Sequence, residues 1–473
     1  MSFPLHTGLT IATLGLLLAG ARLVAPAIMG PVAPAIMGPE LAQFLAIVDF
    51  APDRVPLSPL SRRRDPEPVL VPRIKLPGVS PLLDDSGEVM DHFYQALWRT
   101  EKREPDAVSH SPAVTRIVHY GDSPTTADLI TGDIRSQLQK RFGDAGHGFI
   151  LMAKPWAWYQ HAGVQLSASG WQMSPASHFE MHDGMFGLGG VSFTGSGSAH
   201  SRIVFQSPGY SNFEVWFLRQ PAAGVFTLSA DGRSLGRIDT AADSKSAGFA
   251  AFRAEPSAAN LEIHVEEGTV RLFGLSAENR GPGVVYDSLG LNGASITVLS
   301  RMFNQAHWAE ELGHRNPNLV IVNYGTNEAD FAAFVDRQYE KELREAIRRI
   351  RGAVPEASIL VMSPMDRGHR VPGGDIETMP TIPRIVAIQR RVARETGCGF
   401  FDTFTAMGGE GTMAHWYNDQ PRLVSADFIH PYPAGGKRIA TVFTREIGAG
   451  LNRFKLRQLR QLEVHNQITG AVR

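Results

Sequence analysis

The sequence predicts an α/β fold, a doubly wound parallel sheet, with a β-sandwich inserted into it. Two observations predict this. Apolar runs of strand length alternate with amphipathic runs of helix length over two separated stretches, as parallel strands joined by helical crossovers do. Between them, from Phe186 to about Asn279, the pattern changes to short alternating runs punctuated by Gly, Pro, Ser and Asn, which reads as a sandwich. At 473 residues the chain exceeds one ordinary core, so two folded units and an unstructured or targeting segment are expected.

Met1 to Ala21 contain no Lys, Arg, Asp or Glu, and "LTIATLGLLLAGA" is apolar enough for a signal-peptide core or a short membrane anchor. The alternative is an N-terminal helix packed on the domain, but the stretch lacks the polar face of a surface helix. The octamer "VAPAIMGP" then occurs twice in tandem, too few copies for a solenoid. Residues 1–38 therefore read as an export signal or anchor. Residues 39–87, rich in proline and without periodicity, read as an extended linker.

Residues 88–150 open the α/β unit. "EVMDHFYQALWRTE" has helical spacing, "VTRIVHY" is a strand, and "TADLITGDIRSQLQKRF" is an amphipathic helix. Residues 151–281 form the insert, with runs such as "RIVFQ", "FEVWFLRQ" and "LEIHVEEG". From 282 to 473 the alternation resumes: "GVVYDSLG", "NLVIVNYG", "SILVMSP" and "GFFDTF" each precede a helix-like run.

Composition narrows the function. With 46 basic against 47 acidic residues, nothing marks a polyanion-binding surface, and nucleic acid is not an expected partner. The single cysteine, Cys398, allows no intrachain disulfide and reads as a small buried apolar residue.

In doubly wound sheets chemistry gathers beyond the carboxyl ends of the strands, and four short elements fall at such positions: "GDS" (Gly121 to Ser123), "GLNGAS" (Gly290 to Ser295), "GTNEAD" (Gly325 to Asp330) and "DFIHP" (Asp427 to Pro431). Ser123 suits a helix cap, with Pro124 as first helical residue, and equally a nucleophile. A serine nucleophile needs a base; His430 is the candidate, with Asp427 three residues earlier to fix its tautomer. Asp402, ending "GFFD", is a rival acid. An oxyanion needs donors. The Ser123 N–H, sharpened by the helix it opens, the Gly293 N–H and the Asn327 side chain can supply them, with Gly290 the second choice to Gly293. Taken singly, Gly293 also reads as a turn glycine and Asn327 as a helix cap. Asp122 reads as a structural turn aspartate and Asp128 as a solvated surface acid.

Other clusters carry less. His161, His178 and His182 could suggest a metal, but no third ligand or HExxH pattern accompanies the i, i+4 pair. Trp156, Trp158 and Tyr159 fit either stacking on a sugar or packing between domains. His415 and Trp416 stand where they could border a cleft.

Together the four elements resemble the blocks of the SGNH (GDSL-like) hydrolase superfamily, over about Val114 to Gly146 and Pro282 to Leu451. More closely, the chain is similar to exported peptidoglycan O-acetylesterases of that superfamily, in which a carbohydrate-binding-module-like jelly roll interrupts the hydrolase between its first and second blocks. "VRLFGLSAENRGPGVVYDSLGLNGAS" resembles their return from insert to hydrolase. Two departures are Pro124, where the family often has Leu or His, and Glu328, where Asp commonly follows the third-block Asn. The resemblance implies a flavodoxin-like hydrolase with a jelly-roll-like insert, catalysis by Ser123, His430 and Asp427, and an oxyanion hole of Ser123, Gly293 and Asn327. It further implies no cofactor or metal, an acetylated glycan as substrate, and a periplasmic, membrane-anchored or extracellular location. The rivals are a general carboxylesterase or lipase, although no long apolar lid segment stands near the motifs, and a glycan-binding protein with a silent hydrolase fold, which the intact Ser, His and Asp oppose. An acyl transferase using the same residues stays open.

Overall fold

The computed structural model describes residues 82–105, 110–178 and 183–470, with side chains to residue 461. The apolar N-terminal stretch, the octamers and the linker up to residue 81, with the readings given to them, lie outside the described residues. Along the chain the strands are β1 (Leu83–Asp84), β2 (Val114–Gly121), β3 (Gly146–Ile150), β4 (Val164–Pro175), β5 (Val191–Phe205), β6 (Asn212–Arg219), β7 (Val225–Ala230), β8 (Arg233–Asp239), β9 (Ser246–Arg253), β10 (Asn260–Glu267), β11 (Thr269–Glu278), β12 (Gly283–Gly290), β13 (Leu319–Asn323), β14 (Ser358–Met362), β15 (Gly368–Arg370), β16 (Ile376–Thr378) and β17 (Gly399–Phe401).

The first sheet has the order β1-β17-β14-β13-β2-β12. Strands β17, β14, β13, β2 and β12 run parallel through four pairings, and β1, the short entering strand, pairs antiparallel with β17 at one edge, so the sheet is mixed where a wholly parallel one was expected. Strands rich in Val and Ile and buried on both faces belong at the centre of such a sheet, and β13 and β14 fit that pattern, while β12, at the edge of the order, is buried along its whole length. Alternation sorts β2 between two cores: Val118 and Tyr120 face one, Ile117 the other.

The remaining long strands form a nine-stranded antiparallel sheet of order β8-β7-β10-β5-β11-β6-β9, with β3 added on β11 and β4 on β5. Gly146–Ile150, assigned to the first hydrolase segment by the sequence, pairs with β11 of this second sheet. The core of the second sheet is continuous with one face of the first: Phe193, Phe213 and Phe217 share a cluster with Val118, Tyr120 and Val322. The described residues accordingly belong to one compact unit.

Charge reinforces the junction between the sheets. Arg315, at the end of the helix Gln305–Arg315, donates to both carboxylate oxygens of Asp287 on β12 at 2.6 and 2.8 Å and to Glu278 on β11 at 2.6 Å. Asp287 also accepts the Phe149 N–H at 2.8 Å, while Arg116 of β2 holds Glu278 at 2.8 Å. Removing one partner of a buried ion pair typically costs about 3–5 kcal/mol, because the other charge is left without compensation. Arg315→Met, which strands the fully buried Asp287, is therefore expected to lower the apparent Tm by roughly 5–10 °C. An unchanged thermal scan would show that this network does not hold the sheets together.

The run "ASITVLSRMFNQAHWAEEL" is interrupted. A single π turn, Val298–Met302, precedes the helix Gln305–Arg315, because the Asn304 side chain accepts the His307 N–H at 3.1 Å and starts a new helix there. Among the described residues no helix is long and apolar enough to cross a membrane.

Candidate active site

Three of the four elements stand at adjacent strand ends. β2 lies between β12 and β13, with Gly290 opposite Gly121 and Asn323 opposite Gly121 on the other side. The sheet therefore delivers the Ser123, Gly293 and Asn327 loops side by side. The fourth, residues 427–431, arrives just before the long helix Pro433–Gly470.

Ser123 heads a helix of one turn, Ser123–Thr126, not the continuous helix to Phe142 expected from "TADLITGDIRSQLQKRF". Asp128 causes the break. It adopts a left-handed φ of 54°, and its carboxylate accepts the Thr131 hydroxyl at 2.6 Å, the Ala162 N–H at 2.8 Å and the Arg135 guanidinium at 2.5 Å. Far from being a solvated surface acid, Asp128 is buried. A local side-chain network has outcompeted the helix, and the second helix begins at Thr131. The dipole available at Ser123 is correspondingly that of one turn.

The Ser123 Oγ lies 2.6 Å from His430 Nε2, and His430 Nδ1 lies 2.6 Å from Asp427 Oδ2. With Nδ1–H donating to the carboxylate, Nε2 presents its lone pair to the serine hydroxyl. Asp427 Oδ1 is held by the N–H groups of Ile429 and His430 and by the Ser425 hydroxyl. The chain can turn this tightly because Phe428 takes a φ of 58°, unusual for a bulky residue. Its ring is fixed by Tyr417 at 4.9 Å between centroids, and its carbonyl accepts the Gly368 N–H of β15. Burial pushes the His430 imidazole down, but the Asp427 hydrogen bond and charge, with a smaller contribution from Asp122, outweigh that and the repulsion of Arg367; the net shift is upward. The rival Asp402 is engaged elsewhere, capping the helix Thr403–Met407 through the Thr405 N–H at 2.9 Å and pairing with Arg390.

The two block-two glycines separate by geometry. A Cβ on Gly290 would sit 2.0 Å from the Thr126 nitrogen, so Gly290 lets β12 press against the turn bearing Ser123. Gly293 has a φ of 66° with open space beside its Cα, the setting of an exposed donor. Asn327 donates one amide hydrogen to the Ala294 carbonyl at 2.7 Å, which ties the second and third loops and leaves its other amide hydrogen for a ligand.

Glu328, noted in the sequence only as a departure, is a buried brace between those loops: its carboxylate accepts the Ile296 N–H at 2.7 Å and the Gly325 N–H at 3.1 Å. Burial pushes it up to about 7 against those donors. Arg367, which no motif marked, donates to the Thr326 carbonyl and to both oxygens of Asp330. Asp122 is buried behind the serine, pushed up to about 6 by desolvation although the Thr326 side chain and the His430 charge oppose it. Only tertiary contacts reveal these three roles.

Trp416, expected at a cleft, is buried in the core; His415, beside it, is exposed. Trp156 packs against the core and Tyr159 is buried with its hydroxyl accepting the Leu151 N–H, whereas Trp158 is exposed. His161 is buried against His147, and the side chains of His178 and His182 lie outside the described residues. Among the described residues no three His, Cys, Asp or Glu side chains are grouped to hold a metal.

Residues 259–438 match the model of the GDSL-like lipase/acylhydrolase family. The match takes in Gly293, Asn327, Asp427 and His430 and starts within the insert, on whose far side Ser123 stands. A solved structure described as "Peptidoglycan O-acetylesterase in action" is similar over 79% of this chain and 100% of its own, at 24% identity and a TM-score of 0.65, which establishes a shared fold. A family two carbohydrate esterase from Clostridium thermocellum in complex with cellohexaose aligns over 61% of this chain and 99% of its own at 12% identity, with a TM-score of 0.27 that is too low to weigh. No curated protein matches the sequence. Residues 259–438 are thus similar to the GDSL-like lipase/acylhydrolase family, and the chain shares its fold with the peptidoglycan O-acetylesterase structure.

Proposed function

We propose that the protein is an exported esterase that removes O-acetyl groups from a cell-wall or extracellular polysaccharide through an acyl-enzyme. The observation that carries the chemistry is the hydrogen-bonded series Ser123–His430–Asp427, each link 2.6 Å. Ser123 Oγ attacks the ester carbonyl carbon while His430 Nε2 takes its proton, and Asp427 holds the imidazolium. The Ser123 N–H, the Gly293 N–H and the Asn327 amide receive the oxyanion. As the intermediate collapses, the C–O bond to the sugar breaks and His430 returns the proton to the leaving hydroxyl. Water, deprotonated by the same imidazole, then attacks the acetyl carbonyl; acetate leaves and Ser123 recovers its proton. No cofactor enters this cycle.

The acetyl-glycan substrate is supported by the likeness to the peptidoglycan O-acetylesterase structure, which takes in 79% of this chain and the whole of that one. Export is supported by the apolar, uncharged N-terminal stretch. We read the nine-stranded unit, residues 151–281 with β3, as a jelly-roll-like β-sandwich that walls the cleft. The discriminating experiment measures acid released from O-acetylated peptidoglycan, an O-acetylated exopolysaccharide and short lipid esters. Turnover fastest on an acetylated glycan is expected; preference for lipid esters would replace the substrate class, and no acid from any of them would sink the esterase reading.

Glu328 acts here as a positioning residue, since the loops it braces carry Gly293 and Asn327. Glu328→Gln retains one acceptor and turns an NH2 toward the other N–H, so kcat should fall roughly 10–100-fold with KM little changed. Equal losses in kcat and in thermal stability alone, without that kcat-against-KM split, would leave Glu328 a purely structural group.

A further inference from the structure

Trp158 is the one tryptophan of seven that is largely exposed, at 43%; the other six are wholly or partly buried. A single exposed aromatic is ordinary on a protein surface, but this one is tethered to the reactive loops. Its Nε1–H donates to the Asn292 side-chain oxygen at 2.7 Å, and Asn292 directly precedes Gly293. The same segment is pinned to the turn bearing Ser123, because the Gln160 N–H donates to the Thr126 carbonyl at 3.2 Å and the Ala162 N–H to Asp128. The following residue, Tyr159, is buried and hydrogen-bonded, so the segment cannot swing freely. An indole whose polar edge is satisfied inward while much of its surface meets solvent is a preorganised apolar plate, and little side-chain entropy is lost when a ligand covers it.

We infer that Trp158 is a stacking platform for a glycosyl ring of the ester substrate. This deepens the proposed function and rests on it. The C–H face of a pyranose supplies the flat apolar surface such an indole accepts, and a small acyl donor such as p-nitrophenyl acetate has no sugar ring to place there. The hydrogen bond to Asn292 would register that sugar against the loop holding Gly293, next to the carbonyl under attack. Trp158 is thus a determinant of glycan specificity, separate from the proton-transfer groups.

The test compares kcat/KM for an O-acetylated chitooligosaccharide with kcat/KM for p-nitrophenyl acetate, taken as a ratio so that any disturbance of the oxyanion loop divides out. Trp158→Ala is expected to lower that ratio on the order of tenfold, through KM for the glycan. Trp158→Phe, which keeps a ring but not the Nε1–H, should retain most of it, and Asn292→Ala should fall between. Isothermal titration of the glycan into Ser123→Ala protein, with and without Trp158→Ala, should show the same loss in binding. A ratio unmoved by Trp158→Ala, or both substrates losing equally, would overturn the platform while leaving the deacetylase reading intact. A wild-type enzyme that hydrolyses p-nitrophenyl acetate but no acetylated glycan would overturn both.

Discussion

Ser123→Ala is expected to lower kcat/KM for p-nitrophenyl acetate by ~10⁴–10⁶-fold, leaving only the residue of catalysis that oxyanion donors and binding supply. The loss is large because the serine and His430 work as a unit: without Oγ there is nothing for Nε2 to deprotonate, and the acyl-enzyme cannot form. His430→Ala should therefore cost nearly as much, and the double variant little more than either alone. Circular dichroism and thermal scans should match wild type, since Ser123 makes its side-chain contact to the partly exposed His430. An acetyl adduct on the Ser123 peptide of briefly reacted wild type, absent from the variant, completes the test. Wild-type rates from Ser123→Ala would remove this serine from the chemistry.

Asp427→Asn should carry the second largest effect, a fall in kcat of roughly 10³–10⁴-fold with an altered pH profile. The sign follows from the groups that face His430. Asp427 and Asp122 favour its charged form, burial and Arg367 oppose it, and the balance lies above the ordinary imidazole value. Catalysis requires the neutral base, so kcat/KM of wild type should rise with pH through that elevated value and level off above it. As pH falls, protonation of Asp122, itself pushed up to about 6, also weakens the field on the imidazole. Asparagine at 427 removes the largest upward influence and leaves burial dominant, so the acidic limb should move to lower pH while the plateau drops. A limb that stays in place would show that Asp427 does not set the imidazole's proton affinity.

The site was legible in the sequence where its parts are local. Asp427 and His430 sit three apart in one loop, and strand-end loops announce themselves by an apolar run followed by Gly, Asn or Asp. Nearness to His430 in one short loop favoured Asp427 in the sequence over its rival Asp402, whose carboxylate the structure places as the cap of its own helix. What stayed hidden depends on partners far along the chain. Nothing near Asp128 indicates that Ala162 and Arg135 will enclose it, and Glu328 becomes a brace only because β12 and β13 flank β2. The antiparallel edge strand escaped notice for a related reason, since two residues of Leu-Asp carry no periodicity.

The position of the insert also bears on the order in which the protein can assemble. Gly121 and Gly283 bound a long intervening stretch, yet β2 and β12 must meet in register before any active site exists. Closing so large a loop costs entropy that grows with the logarithm of its length. Pairing of β3 with β11 brings Gly146 beside Glu278 and shortens the remaining closure to a brief span. A second sheet that folds early therefore hands β12 to the waiting edge of β2, so that the interruption in the sequence works as a splint for the strand pair it separates.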